Sequence, residues 1–397
     1  MKNLSLGQAR RLSLLRWTLP RAPASNAHQA IQEAYNRLFA QHRVVGGAVS
    51  LVRRGKLLAT FTYGNARLEL PIPVAPDTLF RIASVSKTIV AMGVMALVER
   101  GLLTLDADIG ETLGYPVRNP AFPDVPITLR QLLTHTSGLR DAPVYEGPGI
   151  SGALTLKQML SPPHVARCFA PVPPGESFHY SNFGAGIVGS VMGVATGAHF
   201  DDTLQASLFE PLGVTGSFLP QRMLPFVDRL ASGYRVSLLP RPTRIAYDAP
   251  ALAAAPLPIP DPERDFAHAP GRLLISMPGL TKLLRLLGSD GEVDGARVLS
   301  PASMDELRAV QDHRGSVTGR AGRGLGVSYC PQVMGREMVM GHQGVAYGKN
   351  CEMWIDPATG DGVAMATNGG LLFATNKLVH CGWGAARLGF EVLERLE

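Results

Sequence analysis

The stretch Ser84–Glu99 constrains the fold more than any other part of the chain. Read as a helix, it carries Ile89, Val90, Met92, Val94, Met95, Leu97 and Val98 on nearly all sides. A helix with no polar face has to be buried, and Gly101 stands where this one would end. The remaining sequence must therefore wrap it. With 397 residues, 46% of them apolar, the chain can build one large core or two closely packed ones.

The flanking segments differ in kind. Asn26–Gln41 places Ala30, Ile31, Ala34, Leu38 and Phe39 at helical spacing. A hairpin follows, with Ala48–Val52 and Leu57–Thr62 joined by the turn Arg53-Arg54-Gly55-Lys56. Helical patterns then dominate at Thr128–Thr134, Phe183–Val194, Phe200–Leu208 and Met277–Leu287, while 235–265 is a long Pro/Ala-rich connection. Strands return at Met338–Met340, Lys349–Ile355 and Gly362–Thr367, the last two separated by the turn Asp356–Asp361, and a helix from Asn376 to Leu396 closes the chain. A lone hairpin is marginal in water. The N-terminal hairpin is therefore expected to join the C-terminal strands in one antiparallel sheet. The predicted fold is α/β (α+β): an antiparallel sheet flanked by helices, beside an all-helical lobe. The expected division is a basic tail at 1–25, a discontinuous sheet domain at 26–80 and 266–397, and a mainly helical domain at 81–265, with a cleft between the two domains.

Charge excludes one large class of function. The formal net charge is +6, but residues 1–21 supply five basic residues and no acid, which leaves +1 for the rest. No broad basic surface for nucleic acid is implied. No run of uncharged apolar residues reaches the length of a membrane span. Arg10-Arg11 followed by Leu12–Leu19 faintly resembles an export signal, but Arg16 interrupts it and Pro20 and Pro23 follow. A peripheral tail and a cytoplasmic location are the expectation, with export the alternative. Cys168, Cys330, Cys351 and Cys381 form no Cys-x-x-Cys pair. They read as buried thiols, although Cys330 and Cys351 could pair across strands. The histidines have no zinc-protease spacing, so neither a metal nor another cofactor is implied.

Three short segments carry chemistry. In Ser84-Val85-Ser86-Lys87, positions i and i+3 share a helix face, so Lys87 can reach the Ser84 hydroxyl. A serine is a poor nucleophile until a neighbour takes its proton, and burial disfavours the charged form of a lysine. Taken alone, the segment also fits a helix cap with a solvated lysine. Tyr180-Ser181-Asn182 precedes a glycine-rich apolar helix. Its tyrosine can act as a general base beside a cation, and its asparagine offers both a donor and an acceptor. A loop tyrosine before a helix cap is the plainer alternative. His342-Gln343-Gly344 follows the strand Met338–Met340, and Gly344 would let a substrate backbone lie close. A strand-end histidine with a satisfied hydrogen bond is the alternative there.

In this order the three segments resemble the penicillin-recognising serine hydrolases, in the branch holding class C β-lactamases, D-Ala-D-Ala carboxypeptidases, D-amino-acid amidases and family VIII esterases. Further segments resemble it too: Thr78–Ala83, Ile127–Leu139 with its His135-Thr136-Ser137-Gly138, Phe209–Gly213 and Gly362–Gly369, so that the likeness spans about residues 27–375. The resemblance implies a β-lactamase/transpeptidase-like fold and an acyl-enzyme on Ser84, with Lys87 and Tyr180 handling its proton. It implies an oxyanion hole from the N–H groups of Ser84 and Val345, with Gly344 alongside, an acyl-side amide held by Asn182, and His342 acting on Tyr180. It also implies that His135 is structural, although its place beside Ser137 superficially suggests a catalytic pair. Gln343 departs from the usual Thr or Ser that binds a substrate carboxylate.

The expected activity is hydrolysis of amide or ester bonds in a small molecule or short peptide, of the D-stereospecific peptidase, carboxypeptidase or amidase kind. A family VIII carboxylesterase and a class C-like β-lactamase are the enzymatic alternatives, and a penicillin-binding sensor or scaffold is the non-enzymatic one. β-Lactams are expected inhibitors, and oligomeric state is left open. Specificity is expected to lie in the loops 140–160 and 235–270.

Overall fold

The computed structural model describes residues 27–141, 154–237, 241–245, 249–311, 322–371 and 377–396. The basic segment 1–25 and most of the 140–160 loop lie outside the described residues.

Strands from the two ends of the chain do form one sheet. Its eight antiparallel strands run in the order Gly322–Gly324, Val327–Val333, Arg336–Ala346, Lys349–Ile355, Gly362–Thr367, Gly46–Arg53, Lys56–Arg67 and Ile72–Pro73. The first and last parts of the chain meet at its centre, where Gly47 pairs with Thr367 and Leu51 with Val363.

Side chains alternate across a pleated strand, and the sheet buries both faces. Val49, Leu51, Val363 and Met365 point to one side, into a core shared with the terminal helices Ala27–Gln41 and Lys377–Glu394. Ala48, Val52, Ala364 and Ala366 point to the other, into a larger core that holds the Met277–Leu287 helix and the helical middle of the chain. Small alanines on that face let the Met277–Leu287 helix sit close. This helix starts where the Ser276 hydroxyl accepts from the Gly279 N–H, with Pro278 in its first turn.

The all-apolar helix is Ser86–Glu99, and Ser86 through Leu97 are all buried. Here the sequence reading is corrected at one end: Ala83–Val85 forms a tight 3₁₀ turn, so Ser84 lies before the α-helix rather than in it. The expected Phe200–Leu208 helix is α only to Leu204 and continues as a π-type turn over Gln205–Phe209. A small sheet that the sequence did not announce pairs Leu79–Arg81 with Leu274–Ser276 and the latter with Gly216–Ser217. It ties the segment leading into Ser84 to the segment following Pro270. All four cysteines are buried thiols, and Cys330 and Cys351 form no disulfide. Burial pushes the Cys351 thiol up to about 12. Among the described residues no single helix is long and apolar enough to cross a membrane.

Candidate active site

The turn that presents Ser84 is held from outside. The Ile82 N–H donates to the Leu273 carbonyl, and Ala83 takes a φ of +47°, a conformation a non-glycine residue keeps only under tertiary constraint. Ser84 is half-buried, whereas Lys87, one helical turn on, is 4% exposed. Its Nζ lies 3.0 Å from Ser84 Oγ, 2.8 Å from Asn182 Oδ1 and 2.8 Å from the Pro270 carbonyl oxygen. The last two groups can only accept. They take two N–H bonds of Lys87 in either protonation state, and the remaining valence, a third N–H or a lone pair, faces the serine oxygen. Ser86, between the two residues, is fully buried.

The second segment is positioned by two neighbouring helices. The Leu129–Thr134 helix opens with a Thr128/Gln131 capping box and ends at His135, whose φ is +60°. His135 is buried and holds the following strand of chain at two points. Its carbonyl accepts from the His179 N–H at 2.7 Å, and its Nδ1 accepts from the Ser181 N–H at 3.3 Å. Its ring packs against Tyr180 at 4.5 Å between centroids. Lys87 Nζ lies 5.0 Å from the centre of the Tyr180 ring, and Tyr180 is 37% exposed, open to a bound molecule. Asn182 begins the Asn182–Thr196 helix, capped by the Ser181 hydroxyl. Its amide is used at both ends, Oδ1 on Lys87 and Nδ2 on Asp141. Neither Asp141 nor the Pro270 carbonyl was singled out in the sequence.

The third segment lies within a strand rather than after one. Arg336–Ala346 pairs with Val327–Val333 only as far as Ser328 opposite Gly341, and among the described strands none is laddered to His342–Ala346 on that side. This stretch runs past the nucleophile turn. A Cβ on Gly344 would stand 2.4 Å from the Ile82 carbonyl oxygen, 3.0 Å from the Ser84 nitrogen and 3.2 Å from the Ala83 Cβ, so only glycine fits the approach. Val345, next along, is 41% exposed. His342 is buried with Nδ1 2.6 Å from the Gln343 carbonyl oxygen. Gln343 departs from the expectation of a substrate-facing side chain. Its amide donates at 2.6 Å to Glu352, directly across the ladder and fully buried, which also accepts from the Trp354 indole. Strand alternation turns Gln343 to the face opposite His342 and Gly344.

The fold also gathers His199, Asp265 and His268, whose candidate ligand atoms lie within 4.8 Å of one another. Burial pushes the imidazolium forms of both histidines down, His268 far below the ordinary histidine range. However, the Asp201 N–H donates to His199 Nδ1 at 3.1 Å. The neutral ring then carries its proton on Nε2, the atom that faces the other two residues, which does not suit a metal ligand.

Comparison with known proteins places the chain in a family. The family model described as beta-lactamase matches residues 29–375. Penicillin-binding protein 4 of Amycolatopsis lactamdurans is 30% identical over 363 residues, covering 88% of this chain and 87% of that protein. Esterase EstB of Burkholderia gladioli is 33% identical over 203 residues, 48% of this chain and 51% of its own length. Among solved structures, the D-amino acid amidase from Ochrobactrum anthropi SV3 complexed with D-phenylalanine superposes with a TM-score of 0.73 over 93% of this chain and 99% of that one, at 22% identity. That last likeness is one of fold.

Proposed function

Since this chain belongs to the beta-lactamase family, a family of serine hydrolases, we propose that it cleaves amide or ester bonds of small acyl compounds through an acyl-enzyme on Ser84. The observation that carries this reading is the placement of Lys87 Nζ 3.0 Å from Ser84 Oγ, with its other two hydrogen bonds fixed on Asn182 and Pro270. An amine held in this way directs its lone pair at the hydroxyl. Ser84 Oγ attacks the substrate carbonyl carbon as its proton passes to Lys87. The carbonyl oxygen, now anionic, is received by the N–H groups of Ser84 and Val345, a reading supported by the close approach of Gly344 to the nucleophile turn. Donors already in place for such an oxygen are worth about 3 to 4 kcal/mol of barrier each. Tyr180, beside Lys87, relays the proton to the leaving group. Water then releases the acyl group by the reverse sequence.

The substrate we favour is an amide or ester without a free carboxylate near the scissile bond, such as a D-amino-acid amide or a short acyl ester. Gln343, bound to Glu352, offers no side-chain hydroxyl to a carboxylate. Beyond Gly341 the strand is no longer laddered to Val327–Val333, and its backbone there, with Val345 exposed beside it, suits an extended acyl chain lying along it. The esterase and amidase among the similar proteins support this choice. A panel of D- and L-amino-acid amides, short p-nitrophenyl esters, D-Ala-D-Ala peptides and nitrocefin, assayed with wild type and Ser84→Ala, tests it. Turnover of amides or esters that Ser84→Ala abolishes without loss of fold is expected. Wild-type turnover by that variant would sink the reading, and fast repeated turnover of nitrocefin would replace it with a β-lactamase.

A further inference from the structure

The three hydrogen bonds on Lys87 serve catalysis only if the Asn182 amide lies with its oxygen toward the lysine. Nothing in Asn182 itself ensures this, because an amide turned end for end fits the same space. The structure holds the orientation through a residue that no motif includes. Asp141 Oδ1 accepts from the Phe183 N–H at 3.0 Å and from the Ser181 hydroxyl at 3.1 Å, and Oδ2 accepts from Asn182 Nδ2 at 2.8 Å. A carboxylate can only accept, so it commits the NH₂ end of Asn182 to itself and the oxygen to Lys87.

We propose that Asp141 is a positioning residue for acyl transfer, setting the orientation of Asn182 and thereby the direction in which Lys87 faces Ser84. The proposal rests on the reading of Ser84 and Lys87 as the reacting pair. The chain of command is Asp141 to Asn182 to Lys87 to Ser84, with each link a hydrogen bond between 2.8 and 3.0 Å. If the amide turned, its NH₂ would oppose the N–H groups of Lys87, one of the lysine's two fixed acceptors would be lost, and the nitrogen would be free to swing off the serine.

The two oxygens of Asp141 have separable duties, and this makes the proposal testable. In Asp141→Asn the new amide oxygen must take the Oδ1 position, because the backbone N–H of Phe183 cannot accept. The helix start keeps its bond from the Phe183 N–H, but an NH₂ group then faces Asn182 Nδ2, donor against donor, and turns the Asn182 amide. In Asp141→Ala the bonds to the Phe183 N–H and the Ser181 hydroxyl are lost and the helix start is held by Ser181 alone, whereas water can satisfy Asn182 in either orientation and leaves its oxygen free to stay on Lys87.

The experiment measures kcat and KM for p-nitrophenyl butyrate together with the melting temperature, for wild type, Asp141→Asn, Asp141→Ala and Ser84→Ala. Asp141→Asn is expected to melt close to wild type and to lose roughly 10- to 100-fold in kcat, the rate equivalent of one charge-assisted hydrogen bond, with KM little changed. Asp141→Ala is expected to melt lower and yet turn over faster than Asp141→Asn. A purely structural role puts stability and activity in the same order, so activity falling in step with melting temperature overturns the proposal, as does wild-type kcat in Asp141→Asn. Turnover by Ser84→Ala removes the reading beneath it, whereas an inactive Ser84→Ala beside a fully active Asp141→Asn removes the proposal alone.

Discussion

Adding a single methyl group at Gly344 tests whether its strand and the nucleophile turn act as one unit. The Cβ of Gly344→Ala would sit 2.4 Å from the Ile82 carbonyl oxygen, where ordinary contact begins at 3.4 Å. Its other close neighbours are the Ser84 nitrogen and the Ala83 Cβ, so two of the three obstacles are backbone atoms with no rotamer to change. The strand must therefore back away from the turn by about 1 Å, and overpacking of this kind costs ~1–3 kcal/mol of stability. The catalytic cost is larger. The same displacement withdraws the Val345 N–H from the developing oxyanion, and a misplacement of about 1 Å is worth about 100-fold in rate. Loss of one oxyanion donor gives about 100- to 1000-fold. Steady-state kinetics on a p-nitrophenyl ester, paired with a chemical denaturation curve, should show kcat down about 100-fold in a protein that is still folded. If kcat and the denaturation midpoint both match wild type, the strand is not pressed on the turn and the oxyanion assignment fails with it.

Two further outcomes follow from packing and burial. Gly382→Ala would bring a methyl to 2.0 Å from Asn350 Oδ1 and 2.1 Å from Glu352 Oε1, on the sheet face away from Ser84, and Glu352 is already held by Gln343 and Trp354. It should lower the denaturation midpoint by an amount equal to ~1–3 kcal/mol while leaving kcat of the folded fraction near wild type; an unchanged midpoint would contradict the described fit. The buried pair His199 and His268 makes stability depend on pH. Both have pKa values lowered in the folded chain, chiefly by burial, from an unfolded value of 6.5. Their contribution is therefore complete above that value and lost as pH falls below it, by up to about 1.4 kcal/mol per pH unit for each proton taken up on unfolding. The pKa values of Asp201 and Asp265 are raised, mainly by burial, so they act in the opposite sense, with their contribution complete only below the ordinary carboxylate range and lost as pH rises. Thermal melts between about pH 7.5 and about pH 5.5 should show a falling melting temperature that His268→Asn flattens; the same slope in both proteins would refute the assignment.

How far the sequence could be read differed from element to element, for physical reasons. The buried helix and the long strands announced themselves because their apolar residues recur over enough positions to show a period. The strands Leu79–Arg81, Leu274–Ser276 and Gly216–Ser217 are two or three residues long, too short for alternation to register, and they are fixed by tertiary pairing. Ser84 was expected in the first turn of an α-helix. Local propensity gives no hint of the +47° φ at Ala83, which the Leu273 carbonyl and the seat of Gly344 impose from distant parts of the chain. The proximity of Lys87 to Ser84 follows from helical spacing, whereas the roles of Asp141 and Pro270 depend on contacts made 41 and 183 residues away. Gln343 drew attention through its place in a motif, yet its side chain is committed to a partner visible only once the ladder register is known.

Because the central seam of the sheet joins the Gly46–Arg53 strand to Gly362–Thr367, the opening and closing portions of the polypeptide depend on one another. A growing chain that has emerged as far as its first three hundred residues already contains the serine, the lysine and the tyrosine, but not the wall against which they are set. Contacts between such remote segments form late and slowly. Hydrolytic competence thus waits on the strands between Gly322 and Thr367, and a fragment that lacks them would be inert.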